Sequence, residues 1–240
     1  LFEMASLLSP ERLAEFQRDG FTVVREVFTD DEIEMMAAAA DRLIRLARGF
    51  DETVMWHGSQ FVVTPIDLED GDKDGQSVSP DGKRPVRIER IVWCGGAEPV
   101  FNRFGADRRL LQMAAALLGS RRMSQLINQL HIKEPDDGVT FDWHQDSKHR
   151  RYTTNQWRDL NGEGSFIETA TAIDPMTPHN GPLKFLPGTH EHGHIEPDPD
   201  TGQLPRDIIE SVEPVAVTLD PGDVCLFGPF VIHGSDENRS

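Results

Sequence analysis

The sequence has few cysteines, few positive charges and no long apolar run, and each shortage excludes a class of protein. Cys94 and Cys225 are the only cysteines in 240 residues and form no CxxC pair, so neither a disulfide scaffold nor a thiolate zinc site is indicated. Lys and Arg number 24 against 41 Asp and Glu, for a formal net charge of −17. Such a field repels phosphate backbones and anionic headgroups, so we expect neither nucleic acid nor membrane as a partner.

The apolar stretches are interrupted by charge well before they reach membrane-spanning length, and the N-terminus lacks a basic-then-apolar signal pattern. We therefore expect a soluble, cytoplasmic protein. The 38% hydrophobic residues suffice for a proper core. We expect one domain over 1–240, with a helical part over about 1–120 and a β-core over about 121–240. The C-terminus at Ser240 falls inside a motif, and we expect it to be incomplete.

Capping signals predict the helices of the first half. Thr29 and Glu32 form a capping box in front of apolar residues at helical spacing, which predicts a helix up to Gly49. Ser9 and Pro10 open a shorter helix that Gly20 ends, and 107–118 reads as a third. Strands are predicted over 21–28 and 86–93. The polar segment 68–85, rich in Gly and Pro, is predicted to be a long loop, either a lid or an insertion.

From about residue 124 onward, short strand-like runs alternate with Pro, Gly and Asp. The six runs are SQLINQLHIK, VTFDWHQD, SFIETATAI, GPLKFLP, EPVAVTL and DVCLFGPFVIHGS. Strands with turn signals between them, and no helix among them, are typical of an antiparallel sandwich or barrel. The predicted architecture is therefore a mainly β core with N-terminal helices packed on it.

A candidate metal centre combines two of these strands. His144 and Asp146 end one strand-like run, where residues i and i+2 share a face. A His-x-Asp triplet alone is weak, because it occurs about once by chance in a chain of this composition. His233 ends a hydrophobic strand and supplies a second imidazole. Two His and one carboxylate suit Fe(II) with three open positions, although zinc tolerates the same ligands.

The chain resembles the phytanoyl-CoA dioxygenase family of Fe(II)- and 2-oxoglutarate-dependent oxygenases. The segments that carry the resemblance are WHQD at 143–146, GPLKFLPGTH at 181–190, PGD at 221–223 and HGS at 233–235, with Asn238 and Ser240. The resemblance implies a jelly-roll (double-stranded β-helix, cupin-like) core with His144, Asp146 and His233 as catalytic iron ligands. It also implies Fe(II), 2-oxoglutarate and O2 as cofactor and cosubstrates. The implied reaction is hydroxylation of an unactivated C–H of a small-molecule metabolite, with release of succinate and CO2.

The resemblance also suggests cosubstrate contacts. Candidates for binding 2-oxoglutarate are Gln129, His131, Lys133, Ser235 and Thr171. The alternative for each is a polar sheet face exposed to solvent. In the family an arginine pairs with the distal carboxylate, because its planar fork binds carboxylate bidentately, and here it is expected about four residues past Ser240. Arg239 lies too early in the pattern for that role.

Other readings remain open. Related halogenases lack the carboxylate ligand, so Asp146 favours hydroxylation over halogenation. His190, His192 and His194 form an HxHxH pattern that is more simply read as a turn. The basic run 148–151, with Trp157 and Arg158, is a solvated loop or a substrate contact. A non-catalytic metal-binding scaffold or sensor, or a cupin enzyme that does not use 2-oxoglutarate, is the alternative function, and the sequence does not select a substrate.

Overall fold

The computed structural model describes residues 7–66, 86–150 and 166–240. The predicted loop 68–85, and with it the question whether it forms a lid, lies outside these residues. Arg151, Trp157 and Arg158 also lie outside them. Among the described residues no helix has both the length and the apolar character needed to cross a bilayer.

The three helices predicted from capping signals begin and end within one or two residues of the expected positions. Thr29 accepts from the backbone N–H of Glu32, whose carboxylate accepts from the Thr29 N–H, so the predicted capping box is present. Such a cap contributes about 1 kcal/mol of helix stability. The helices are α1 (Pro10–Asp19), α2 (Asp30–Ala47), α3 (Pro99–Gly105), α4 (Arg108–Leu118), α5 (Ser147–Arg150) and α6 (Arg206–Ile209). The three predicted helices are α1, α2 and α4, whereas α3, α5 and α6 were not predicted.

Three antiparallel sheets make up the rest of the fold. The strands are β1 (Phe21–Val24), β2 (Val54–Trp56), β3 (Ser59–Pro65), β4 (Val86–Val92), β5 (Gln129–His131), β6 (Phe141–His144), β7 (Glu168–Thr171), β8 (Leu183–Leu186), β9 (Val215–Ala216), β10 (Val224–Phe227) and β11 (Ile232–Ser235). They pair in the orders β1-β10-β7, β6-β11-β8-β9 and β2-β3-β4-β5. The antiparallel architecture predicted from the short strand-like runs is thus confirmed.

Two apolar layers hold the sheets in place. The larger core packs the buried face of α2, with Met36 and Leu43, against Phe61 of β3 and Leu226 of β10. The smaller core lies between the sheet β1-β10-β7 and the sheet β6-β11-β8-β9, where Phe185 of β8 and Phe227 of β10 meet. Each buried side chain of this size stabilises the fold by about 1.5–3 kcal/mol.

The first half is less helical than predicted. Strands β2 and β3 and helix α3 were not anticipated, and β2 to β4 all lie within the part expected to be helical. The reason lies in the composition of β3, SQFVVTP: its first six residues alternate between buried and half-buried positions, but the polar residues among them conceal the alternation. This extra sheet supplies one wall of the site described next.

A candidate metal centre between two strands

The two histidines predicted as ligands lie side by side on neighbouring strands. Strand β6 pairs with β11, and the pairing sets His144 directly opposite His233. Asp146 follows the end of β6 by two residues. Directly opposed residues of an antiparallel pair project on the same face, so the fold brings together groups 89 positions apart in the sequence.

The three side chains converge on one point. Nε2 of His144 lies 3.7 Å from one carboxylate oxygen of Asp146, and Nε2 of His233 lies 3.7 Å from the other. One ligand atom from each of the three residues lies within 4.8 Å of the other two. Among the described residues this is the one group of three or more His, Cys, Asp or Glu side chains arranged to hold a metal ion.

The backbone fixes which nitrogen of each ring faces the carboxylate. Nδ1 of His144 lies 2.7 Å from the carbonyl oxygen of Asp142, and Nδ1 of His233 lies 3.1 Å from that of Val231. A carbonyl oxygen can only accept, so each Nδ1 must carry the proton and donate it. In the neutral rings the lone pair is therefore on Nε2, the atom that faces Asp146. This donor set fits a divalent transition metal.

Aromatic rings form one side of the centre. The ring of His233 lies 4.8 Å from that of Phe227 and 5.7 Å from that of Phe185, centroid to centroid. His233 itself is only 4% exposed, whereas the side chains of His144 and Asp146 are 26% and 22% exposed. The site is thus closed on the side of β10 and open on the side of β6.

Gln145, which lies between His144 and Asp146 in the chain, holds the site in place through its hydrogen bonds. Gln145 is buried and makes three hydrogen bonds: it donates to the carbonyls of Gly193 (2.9 Å) and Phe230 (2.6 Å) and accepts from the N–H of Ile195 (2.8 Å). Phe230 lies in the turn between β10 and β11. Gln145 therefore ties the strand that carries His144 to the turn that leads to His233.

Two of the predicted cosubstrate residues are in contact. The Lys133 ammonium donates to the Ser235 hydroxyl at 2.6 Å, to the carbonyl of Gly181 at 3.1 Å and to the carbonyl of Asp236. Burial lowers the pKa of Lys133 to about 8. Ser235 is two residues beyond His233 and shares its face. A cation and a hydroxyl therefore lie together at the edge of the metal centre.

Two further candidates, Gln129 and His131, both lie on strand β5. The ring of His131 stands edge-on to that of Phe141, 5.4 Å between centroids, and Phe141 pairs with Ser235. Part of the His131 side chain is open to solvent. Desolvation by the protein around the ring, and then the positive charge of Arg90, lower the pKa of His131 to about 4. Gln129 is half-buried, two residues further from Lys133 on the same face.

The fifth candidate, Thr171, does not join this group. It pairs with Val224, whose side chain belongs to the larger core beneath the helices. The structure therefore places Thr171 on the face of its sheet that is turned away from Phe227 and the metal centre. The neighbouring Ala170 and Ala172 face the centre instead, because strand residues alternate between faces.

His190, His194 and the terminal arginine make their described contacts outside the metal-ligand group. His190 Nε2 lies 3.0 Å from the carbonyl of Gln17, and His194 Nδ1 lies 2.8 Å from the Ser147 hydroxyl, so the HxHxH pattern is divided between separate contacts. Arg239 is exposed and pairs with Glu237. The sequence did not predict that Phe141 and Arg90 lie near the site. Which face of the sheet each side chain occupies depends on register shifts in the strand pairing.

Comparison with known proteins agrees with this centre. The sequence model of the phytanoyl-CoA dioxygenase (PhyH) family matches residues 16–240. Ectoine dioxygenase of Sphingopyxis alaskensis is 27% identical over 249 residues, which cover 96% of this chain and 71% of that protein. The crystal structure of EctD from S. alaskensis with bound Fe matches with a TM-score of 0.67 at 25% identity, covering 100% of this chain and 75% of that one.

A more distant likeness bears on the fold alone. The carbocyclase SnoK from nogalamycin biosynthesis, an alpha-ketoglutarate-dependent enzyme, matches with a TM-score of 0.67 at 18% identity, covering 97% of this chain and 79% of that one. The jelly-roll fold predicted from the resemblance is thereby confirmed. The family model spans nearly the whole chain, and the predicted His-Asp-His group is assembled in the structure. The chain belongs to the phytanoyl-CoA dioxygenase family.

Proposed function

We propose that this protein is an Fe(II)- and 2-oxoglutarate-dependent dioxygenase that hydroxylates a C–H bond of a small molecule, releasing succinate and CO2. The observation that carries the proposal is the orientation of His144 and His233, whose Nε2 atoms both face Asp146 while their Nδ1 atoms are held by backbone carbonyls. Three protein ligands on one side leave room for other ligands opposite, as facial-triad oxygenases require.

Each residue of the centre has a defined role in this proposal. His144, Asp146 and His233 would hold Fe(II), which with 2-oxoglutarate and O2 supplies the oxidising chemistry. Asp146 brings one negative charge, so the bound cation is only partly neutralised and still attracts an anionic cosubstrate. Retention of this carboxylate favours hydroxylation over halogenation. Phe227 and Phe185 exclude water from one side of the His233 ring.

Lys133 and Ser235 are proposed to bind 2-oxoglutarate. The ammonium carries the charge needed for a carboxylate, and the hydroxyl beside it is a second donor. Without cosubstrate the ammonium donates to the carbonyls of Gly181 and Asp236, which hold it in place. Gln129 and His131 line the same face and are proposed as weaker contacts. Thr171 faces the helices and has no role in this proposal.

The test is to measure Fe(II) binding and succinate formation from 2-oxoglutarate in three proteins. Asp146→Ala removes a ligand and should lower Fe(II) affinity and succinate formation at least tenfold. Asp142→Ala is the matched control, since this exposed carboxylate lies on the same strand and only its backbone carbonyl contacts His144. Equal succinate formation by Asp146→Ala and the wild type would overturn the proposal. Fe(II) binding by the wild type without succinate would point to the scaffold or cupin alternative.

A further inference from the structure

The wall opposite the metal centre contains an irregularity that redirects one charged side chain. Strands β3 and β4 pair Val62 with Arg90 and then Val63 with Ile88, so Glu89 is an extra, unpaired residue. Without this bulge Ile88 and Arg90, two residues apart, would share a face. With it, Ile88 enters the core and Arg90 projects from the other side of the sheet.

That other side faces the site. Arg90 pairs directly with His131 of β5, so the two side chains lie on one face. His131 in turn contacts Phe141, which pairs with Ser235 beside the metal centre. The imidazole therefore shares a face with Arg90 and adjoins the strand that carries His144.

Arg90 is half-buried and has no hydrogen bond or ion pair to any residue in the part of the chain that the structure describes. Its neighbour on the same strand differs: Arg87 donates to the carbonyl of Asp137 at 3.2 Å. A partly desolvated cation without a partner is costly. The chain has a net charge of −17, so it contains many carboxylates that could have paired with such a cation. A guanidinium in the site wall with no partner among the described residues is available to pair with an anionic ligand.

The position of Arg90 separates it from the proposed cosubstrate contacts. Lys133 is two residues beyond His131, roughly 7 Å along the extended chain. Lys133 lies at the Ser235 end of the wall, while Arg90 is opposite His131 and farther from β11. The wall therefore carries two cationic positions, and one 2-oxoglutarate contact at Lys133 leaves the other available.

We infer that Arg90 is a specificity-determining residue that binds an anionic oxygen group, carboxylate or phosphonate, of the substrate. This inference rests on the proposed function and adds the substrate class: a small molecule with a negatively charged group at one end. The planar guanidinium binds such a group through two parallel hydrogen bonds, which orients the rest of the molecule toward the metal centre.

The experiment uses methylphosphonate as the anionic probe and dimethyl sulfone as a neutral probe of similar size, measured by isothermal titration calorimetry. Each titration is run on the protein loaded anaerobically with Fe(II) and saturating 2-oxoglutarate, and again on the metal-free protein. The variants are Arg90→Gln, Arg90→Lys and the exposed control Arg122→Gln. Circular dichroism checks that each variant is folded, and the dissociation constant of 2-oxoglutarate is measured for each.

The wild type and Arg122→Gln should bind methylphosphonate and not dimethyl sulfone. Arg90→Gln should weaken methylphosphonate binding at least tenfold, and Arg90→Lys by less, because lysine keeps the charge but not the fork. Affinity for 2-oxoglutarate should change less than twofold. No methylphosphonate binding by the wild type, unchanged binding by Arg90→Gln, or a loss of 2-oxoglutarate affinity instead would overturn the inference. Failure of the proposed function would appear separately, as absence of Fe(II) or 2-oxoglutarate binding in the wild type.

Discussion

At the scale of the residue, the chemistry of the centre depends on atoms that are not ligands. The carbonyls of Asp142 and Val231 fix the protonated nitrogen of each imidazole, and they do so whatever side chain those positions carry. This explains why the ligand set could be predicted from the sequence while its orientation could not. The residue types state which atoms can bind a metal, but backbone carbonyls follow from the folded geometry.

Lys133 makes the affinity for 2-oxoglutarate dependent on pH. Burial lowers its pKa to about 8, so the ammonium is charged at neutral pH and loses its proton as the pH rises through that value. Only the charged form attracts a carboxylate, so the affinity should fall progressively between pH 7 and 9. Titration of the Fe(II)-loaded protein at several pH values measures this, with Lys133→Met as the variant that should be weak and insensitive to pH. A wild-type affinity that rises with pH would contradict the assignment.

Gln145 should contribute to stability more than an ordinary glutamine. Gln145→Ala leaves two carbonyls and one N–H without their buried partner, and at about 1 kcal/mol each the loss is about 3 kcal/mol in the free energy of unfolding. Urea unfolding measures it. Gln112→Ala on α4, whose side chain makes no hydrogen bond to any other described residue, should change stability by less than about 0.5 kcal/mol. Equal effects of the two substitutions would show that the three hydrogen bonds of Gln145 do not stabilise the fold.

At the scale of the element, two irregular pairings shape the site. The bulge in β4 directs Arg90 toward His131, and the register shift between β6 and β11 lets His144 and Phe141, three residues apart, both face inward. Strict alternation over VTFDWHQD puts Phe141 and His144 on opposite faces. The helix caps and the strand-like runs were predictable from local sequence, and the triad from the family resemblance together with the two strand ends. The bulges were not, because they follow from how two distant strands accommodate each other.

Gly234 makes the close approach of β6 and β11 possible. A Cβ at this position would lie 2.7 Å from the carbonyl oxygen of Phe141, which is backbone and cannot move without shifting the strand. Gly234→Ala should therefore separate His144 from His233 and weaken Fe(II) binding at least tenfold. Gly228→Ala is the control, since its Cβ would make only an ordinary 3.6 Å contact with Phe16. Anaerobic Fe(II) titrations compare the two, and equal affinities would show that the spacing of the strands does not matter.

At the scale of the whole molecule, the metal centre links parts of the chain that fold together. Ligands come from β6 and β11, aromatic rings from β8 and β10, and the cations from β4 and the end of β5. An ion bound by such a site favours the folded state and not the unfolded chain. The antiparallel class of the fold was predictable because short strand-like runs alternate with turn residues in the second half of the chain. The sheet β2-β3-β4-β5 was not, since β2 and β3 lie in the half that reads as helical.

Binding should therefore raise the melting temperature. At a ligand concentration about 100-fold above the dissociation constant the stabilisation is about 2.7 kcal/mol, which for a chain of this size corresponds to an increase of roughly 5 to 10 °C. Differential scanning fluorimetry with Fe(II) and then 2-oxoglutarate, under anaerobic conditions, measures the two increments. In His144→Ala both should be lost, and increments as large as those of the wild type would locate binding elsewhere.

The central claim is that His144, Asp146 and His233 hold Fe(II) in a form that accepts 2-oxoglutarate. The most direct measurement is an anaerobic titration of the protein with Fe(II) and then with 2-oxoglutarate, following the visible charge-transfer absorption that a 2-oxoglutarate chelate of Fe(II) produces, with His144→Ala as control. We expect the band to develop in the wild type, to saturate at one equivalent of Fe(II), and to be absent from the control. Binding of Fe(II) without the band, or an equal band in His144→Ala, would contradict it.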